Sequence, residues 1–183
     1  LNLMASLKEK IAYALGDAAA GGIVWKVMSI AFPLFFTYVF GLSFADAAVL
    51  MLVARMFDVV TDPLMGTLAD RTKSRFGTYR PWLIFGAVPF GLIFALLLYT
   101  PDFGPVGKRI YAYTLYLLMM AVYTMVNVPY GSLLGVMTDD DNETNQFSSF
   151  RMVGAYAMGS ITLLSLPYLQ KMVSTNRAIS RPQ

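Results

Sequence analysis

Five apolar runs, at residues 11–40, 44–69, 82–99, 110–137 and 147–169, limit what this chain can become. A bilayer's hydrocarbon core is about 30 Å thick and a helix rises about 1.5 Å per residue, so roughly 20 apolar residues cross it. Each run meets or approaches that length, and short polar stretches join them. In lipid the backbone has no water to bond, so each run must satisfy its own amides as a helix. The expectation is an all-α, polytopic membrane protein with about five transmembrane helices bundled over residues 1–170 and a polar tail at 171–183.

Composition narrows the chemistry. The chain has no Cys and no His, which excludes disulfides, thiol nucleophiles, Cys/His zinc sites and imidazole relays. A net charge of +3, from 14 basic and 11 acidic residues spread along the chain, is no nucleic-acid surface. No cleavable leader pattern precedes the first run, so that helix is expected to insert as an anchor. Lys8 and Lys10 precede the first run, and Arg71, Lys73, Arg75 and Arg80 lie between the second and third, which puts both places on the cytoplasmic side. The N-terminus is then cytoplasmic, although Lys108, Arg109 and the acidic run 139–143 obey the rule less well. Five spans is an odd count and position 1 is Leu, so the chain is expected to be the front of a longer protein whose C-terminal half is its missing partner.

The second run holds Arg55, Asp58 and Asp62 deep inside apolar sequence. At 100° per residue these three and Thr61 share one helix face. Each such charge costs about 2.5–3.5 kcal/mol at a helix centre, so the face must pair or line a wet cavity. Two carboxylates a turn apart beside a hydroxyl form the all-oxygen set that a hard cation prefers. The same pair can share a proton instead, and Na⁺ and H⁺ are not distinguished. The plainer reading is an Arg55 ion pair that staples helices, but two acids and one base leave one carboxylate over. Lys26 sits mid-span in the first run, too deep to snorkel. Trp25 and Tyr123 offer faces on which a sugar can stack, besides the commoner role of packing.

The string Leu52-Val-Ala-Arg55-Met-Phe-Asp58-Val-Val-Thr61-Asp62-Pro-Leu-Met-Gly66 continues into Leu68-Ala-Asp70-Arg71-Thr-Lys-Ser-Arg75-Phe-Gly-Thr-Tyr-Arg80-Pro-Trp82. Together they strongly resemble the glycoside-pentoside-hexuronide:cation symporters, the melibiose-permease relatives of the major facilitator superfamily. Lys10-Ile-Ala-Tyr13-Ala-Leu-Gly16-Asp17, the turn at Gly41-Leu-Ser43 and Tyr123-Thr124-Met-Val-Asn127-Val-Pro129-Tyr130 look like the same pattern, and the likeness runs over residues 8–169.

The resemblance implies the N-terminal six-helix bundle of a transporter, with Asp58 and Asp62 as cation ligands aided by Thr61 and Thr124. It implies a cytoplasmic gate over Gly66 to Arg75, with Asp70, Arg71 and Arg75 as a charged latch. The family's fourth- and fifth-helix sugar positions fall on Asn127 and Arg151, while 20–22, where its first helix carries an acid, has none. These departures point away from galactosides and leave a polar sugar or a uronate, for which Lys26 and Arg151 suit charge-assisted hydrogen bonds.

The expected function is cation-coupled symport, with Na⁺ or H⁺, of a sugar, glycoside or uronide by alternating access. The expected place is a bacterial inner membrane, with membrane lipid around the helices and no nucleic acid. No cofactor beyond the coupling cation and no enzymatic activity are expected. The alternatives are a truncated, non-transporting membrane subunit and a major-facilitator carrier of a lipid or drug.

Overall fold

The computed structural model describes residues 6–99, 101, 103–138 and 140–179, leaving aside the side chains of 166 and 169–179. Its regular elements are helical throughout: α1 (Leu7–Asp17), α2 (Phe32–Tyr38), α3 (Phe44–Arg71), α4 (Arg80–Leu98), α5 (Pro105–Met137) and α6 (Asp141–Ile179). Between α1 and α2 the chain keeps turning but widens to π-helix over Ala18–Val24 and again over Val27–Ala31. Among the described residues, three helical stretches are long and apolar enough to cross a membrane: Leu7–Tyr38, Arg80–Leu98 and Pro105–Met137. α3 is as long as a span, at 28 residues, and differs from those three by carrying Arg55, Asp58 and Asp62 in its middle.

Local chemistry fixes the helix ends. α1 starts at Leu7 rather than at 11 because Ser6 and Glu9 form a capping box, Ser6 N–H donating to Glu9 Oε2 at 2.7 Å. Ser43 caps α3, its hydroxyl accepting from Asp46 N–H at 3.1 Å, after a turn at Gly41 whose φ of 83° suits only glycine. α4 begins with Pro81 in its first turn, where a missing N–H costs nothing. At the start of α6, Asp140 accepts from Asn142 N–H at 2.8 Å. In the first part of the polar tail expected at 171–183 the helical backbone continues to Ile179. Nothing between Pro167 and Pro182 is a Gly or Pro that would stop it.

The chain forms two units, Leu1–Phe32 with Thr138–Gln183, and Pro33–Met137. In the second unit α5 is the hub, with α3 and α4 packed on it. Its buried residues include Ala112, Tyr116, Met119, Met120, Thr124 and Tyr130. Phe36 meets Tyr116 edge-on at 5.8 Å and Phe40 stacks on Tyr111 at 6.1 Å, which ties the start of this unit to α5. At the first turn of α3, Asp46 holds Arg109 at 3.0 Å and its carbonyl accepts from Tyr113 at 2.8 Å.

In the first unit α1 and the π-helical turns lie against α6. Tyr13 meets Phe147 edge-on at 5.7 Å. The helices approach through glycine: a Cβ at Gly154 would stand 2.9 Å from the Ala14 carbonyl oxygen, and one at Gly22 would stand 2.8 Å from Met158 Cβ and 2.9 Å from the Ala155 carbonyl. Small residues let membrane helices come this close.

Gly22→Ala is therefore expected to overpack the α6 seam and to destabilise by about 1–3 kcal/mol. Gly131→Ala on α5, where nothing lies within 4 Å, is expected to be neutral or to gain up to about 1 kcal/mol. Thermal unfolding of both variants in detergent distinguishes these outcomes.

Candidate cation and substrate site

The buried stripe of α3 reads Ala47, Leu50, Ala54, then Met65 and Ala69. Continued at helical spacing, that stripe passes through positions 58 and 61. Asp58 and Thr61, both half-buried, thus occupy slots where the apolar seam toward α5 should run unbroken, while Asp62 beside them is exposed. Asp58 is the fifteenth and Asp62 the nineteenth residue of a 28-residue helix, about 21 and 27 Å along it. α5 answers at one point: the Thr124 hydroxyl, 3% exposed, donates to Asp62 Oδ1 at 3.0 Å.

Asp58 is held more loosely. Its Oδ2 lies 3.7 Å from Arg55 Nη1, a wide separation, and the guanidinium is 54% exposed. An ion pair so open to its surroundings contributes little. Asp58 Oδ1 is buried and, among the described residues, accepts no hydrogen bond. The Thr61 hydroxyl donates to the Phe57 carbonyl at 3.1 Å, the usual way a membrane helix satisfies a hydroxyl. Pro63 has no N–H, so the Val59 carbonyl, next to Asp58, loses its ordinary helical donor. Four side chains expected to act together, Asp58, Asp62, Thr61 and Thr124, are therefore gathered within one unit. Two carboxylates against one guanidinium leave a net charge of about −1, matched to one monovalent cation or one proton.

The substrate candidates divide between the units. Asn127 lies one turn beyond Thr124 on α5 and is half-buried. Tyr123 is 8% exposed, so most of its ring serves the packing of α5. In the first unit Trp25 and Lys26 are half-buried between the two π-helical segments. Arg151 Nε lies 3.5 Å from Asp17 Oδ2. The Lys26 stem runs along Gly159, where a Cβ would meet Lys26 Cε at 3.1 Å.

Asp70 and Arg75, expected with Arg71 to form a charged latch, meet other partners in this structure. Asp70 accepts from the Tyr79 hydroxyl at 2.8 Å, and Arg75 lies over the Phe76 ring at 4.8 Å. No ion pair joins Asp70 to either arginine among the described residues. The cause is the turn at Gly77, whose φ of 94° folds the loop back onto the end of α3. Trp82 Nε1–H then donates to Thr72 Oγ1 at 3.0 Å and closes the loop's base. The bond to Asp70 favours the neutral phenol and raises the Tyr79 pKa, so the link persists through neutral pH and is lost only in alkali. Gly66 lies on the α5-facing side of α3, 3.9 Å from Val128 by its would-be Cβ.

Sequence reasoning missed Asp17 as the partner of Arg151, and Tyr79 and Trp82 as the loop's fasteners. An acid in the first run and a base in the fifth were the only signal for the first pair. Nothing in the loop's composition singled out which side chains would meet.

The family model described as MFS/sugar transport protein matches residues 12–180. The chain is 48% identical over 164 residues to YagG of Escherichia coli K12, named as a candidate glycoside/cation symporter, covering 88% of this chain and 35% of that protein. It is 43% identical to the inner membrane symporter YicJ of the same organism, covering 95% and 38%. A glucuronide carrier protein homolog, also from Escherichia coli K12, is 30% identical, covering 92% and 36%. The chain spans little more than a third of the length of these relatives.

Removing a carboxylate that staples helices normally costs about 3–5 kcal/mol when the other charge is buried. Here the partner is largely exposed, so Asp58→Asn is expected to change stability by no more than about 1 kcal/mol, read from thermal unfolding in detergent. A loss of several kcal/mol would mark Asp58 as structural.

Proposed function

Because the chain belongs to the MFS/sugar transport protein family, we propose that it is the front part of a transporter that carries a sugar or glycoside together with Na⁺ or H⁺. The observation that carries this reading is the break in the α3 seam, where Asp58 and Asp62 stand mid-helix with Thr61 and Thr124 beside them. A carboxylate fastened by one hydroxyl, another with a buried and unbonded oxygen, and a net charge near −1 suit a single monovalent cation that must enter and leave. The cation is cargo, so moderate affinity is an advantage.

The spans at 11–40, 44–69, 82–99, 110–137 and 147–169 make up most of a six-helix half, and the other half rocks against it. Lys26, Trp25, Asn127, Tyr123 and Arg151 are the substrate-holding candidates. Binding of the cation raises affinity for the sugar, and linkage requires the reverse in equal measure. The membrane is a bacterial inner membrane, with the N-terminus and the loop after α3 in the cytoplasm, as the basic residues there support. There Asp70, tied to Tyr79, and Arg71 and Arg75 beside it are free to exchange partners as the halves rock.

In the complete transporter, Asp58→Cys and Asp62→Cys are each expected to abolish cation-stimulated sugar uptake, and Thr124→Ala to raise the half-saturating cation concentration about tenfold, which is about 1.4 kcal/mol. Uptake into vesicles with and without an imposed Na⁺ or H⁺ gradient is the measurement. Unimpaired coupling in both cysteine variants would overturn the assignment.

A further inference from the structure

We propose that the loop between α3 and α4 is a binding site for anionic lipid, in which Arg71, Lys73, Arg75 and Arg80 hold negatively charged phosphate headgroups while Phe76 enters the ends of the acyl chains. The inference goes beyond the transport reading and needs only that α3 and α4 cross the membrane.

α4 fixes the depth of the loop. Its 19 residues make about 28 Å of helix, no longer than the hydrocarbon core of about 30 Å, so Arg80 at its first position stands at the level of the headgroups. Arg71 ends α3 on the same side, and the residues between are folded back on themselves. The Ser74 hydroxyl accepts from Phe76 N–H at 3.1 Å and donates to the Gly77 carbonyl at 2.7 Å. Tyr79 on Asp70 and Trp82 on Thr72 fasten the two sides. The loop is thus a short, fastened turn at the membrane surface, and little ordering remains to be done when a ligand binds it.

Charge sets the sign of that ligand. Four of the ten residues at 71–80 are basic, and all four are exposed. Asp70, the acid at the loop's edge, accepts from the Tyr79 phenol, and counting it against them still leaves a surplus of three positive charges. Basic residues clustered beside a transmembrane helix favour anionic lipid by about fivefold in affinity each.

The tip of the loop separates a lipid from a dissolved anion. Phe76 is 46% exposed, and the Arg75 guanidinium lies over its ring at 4.8 Å. An open ring beside four cations gains nothing from a dissolved phosphate. At the headgroup boundary it buries itself among acyl chains, while the guanidinium stacked on it keeps its N–H groups for phosphate oxygens. A zwitterionic headgroup offers the same phosphate with a cation attached, which the loop's surplus charge disfavours.

The test is thermal unfolding of the complete transporter in neutral detergent, titrated with phosphatidylglycerol or with phosphatidylcholine of the same acyl chains. Phosphatidylglycerol is expected to give half of its maximal stabilisation at a concentration about tenfold lower than phosphatidylcholine does. Lys73→Gln and Arg75→Gln should each raise that concentration about fivefold and leave the phosphatidylcholine response unchanged. Phe76→Ser should weaken the response to both lipids. In the unaltered protein, raising the ionic strength from about 0.1 M to about 1 M shortens the Debye length from about 10 Å to about 3 Å and should remove most of the preference. Equal responses to the two lipids, or a preference that survives Lys73→Gln combined with Arg75→Gln, overturns the inference. Stabilisation by inorganic phosphate equal to that by phosphatidylglycerol makes this a site for a dissolved anion and overturns it as well. Should the variants fail to fold, the lipid preference and salt dependence of the unaltered protein decide. No arm of this test reads uptake, so its failure is distinct from failure of the transport reading, which uptake under an imposed cation gradient decides.

Discussion

Two carboxylates one turn apart in the middle of a long, largely apolar helix, one half-buried in its seam and one exposed beside it, are the costliest feature of this chain. A helix carrying Asp58 and Asp62 is costly to face toward lipid, and α3 sets Asp58 half-buried and ties Asp62 to Thr124 of α5. α5 meets it with a buried threonine among tyrosines, methionines and smaller apolar residues. The apolar residues on either side, Ala47 to Ala54 and Met65 to Ala69, pack α3 above and below the acids, and Asp62 adds one hydrogen bond to α5 between them. That division of labour lets one stretch of helix stay electrostatically unsatisfied while its ends stay packed.

The helices were largely legible from hydropathy, because lipid forces each apolar run to close its own hydrogen bonds. The register of the acids was legible too, since α-helical spacing through α3 is regular and puts 55, 58, 61 and 62 on one side. The first helix shows where such reasoning stops. Its spacing arguments assume 100° per residue, and the π-helical turns around Lys26 break that assumption. A run of Ala and Gly permits the wider winding but does not announce it, because close contact with α6 decides it.

Pairings were the least legible part. Arg71 and Arg75 are the obvious partners for Asp70 by charge, yet the Gly77 turn delivers Tyr79 first. Arg151 finds its acid on the first helix 134 positions earlier in the chain, a separation over which sequence pattern carries no information.

The hydroxyls of these helices have a consequence for the sign of what they can hold. Thr61 gives its proton to the Phe57 carbonyl and Thr124 gives its proton to Asp62. Both oxygens beside the carboxylates are then left with lone pairs and no hydrogen to offer. Together with the carboxylates they form a patch that is a hydrogen-bond acceptor at every described side-chain atom except the guanidinium of Arg55. Such a patch repels anions and gives water little besides acceptors to bind.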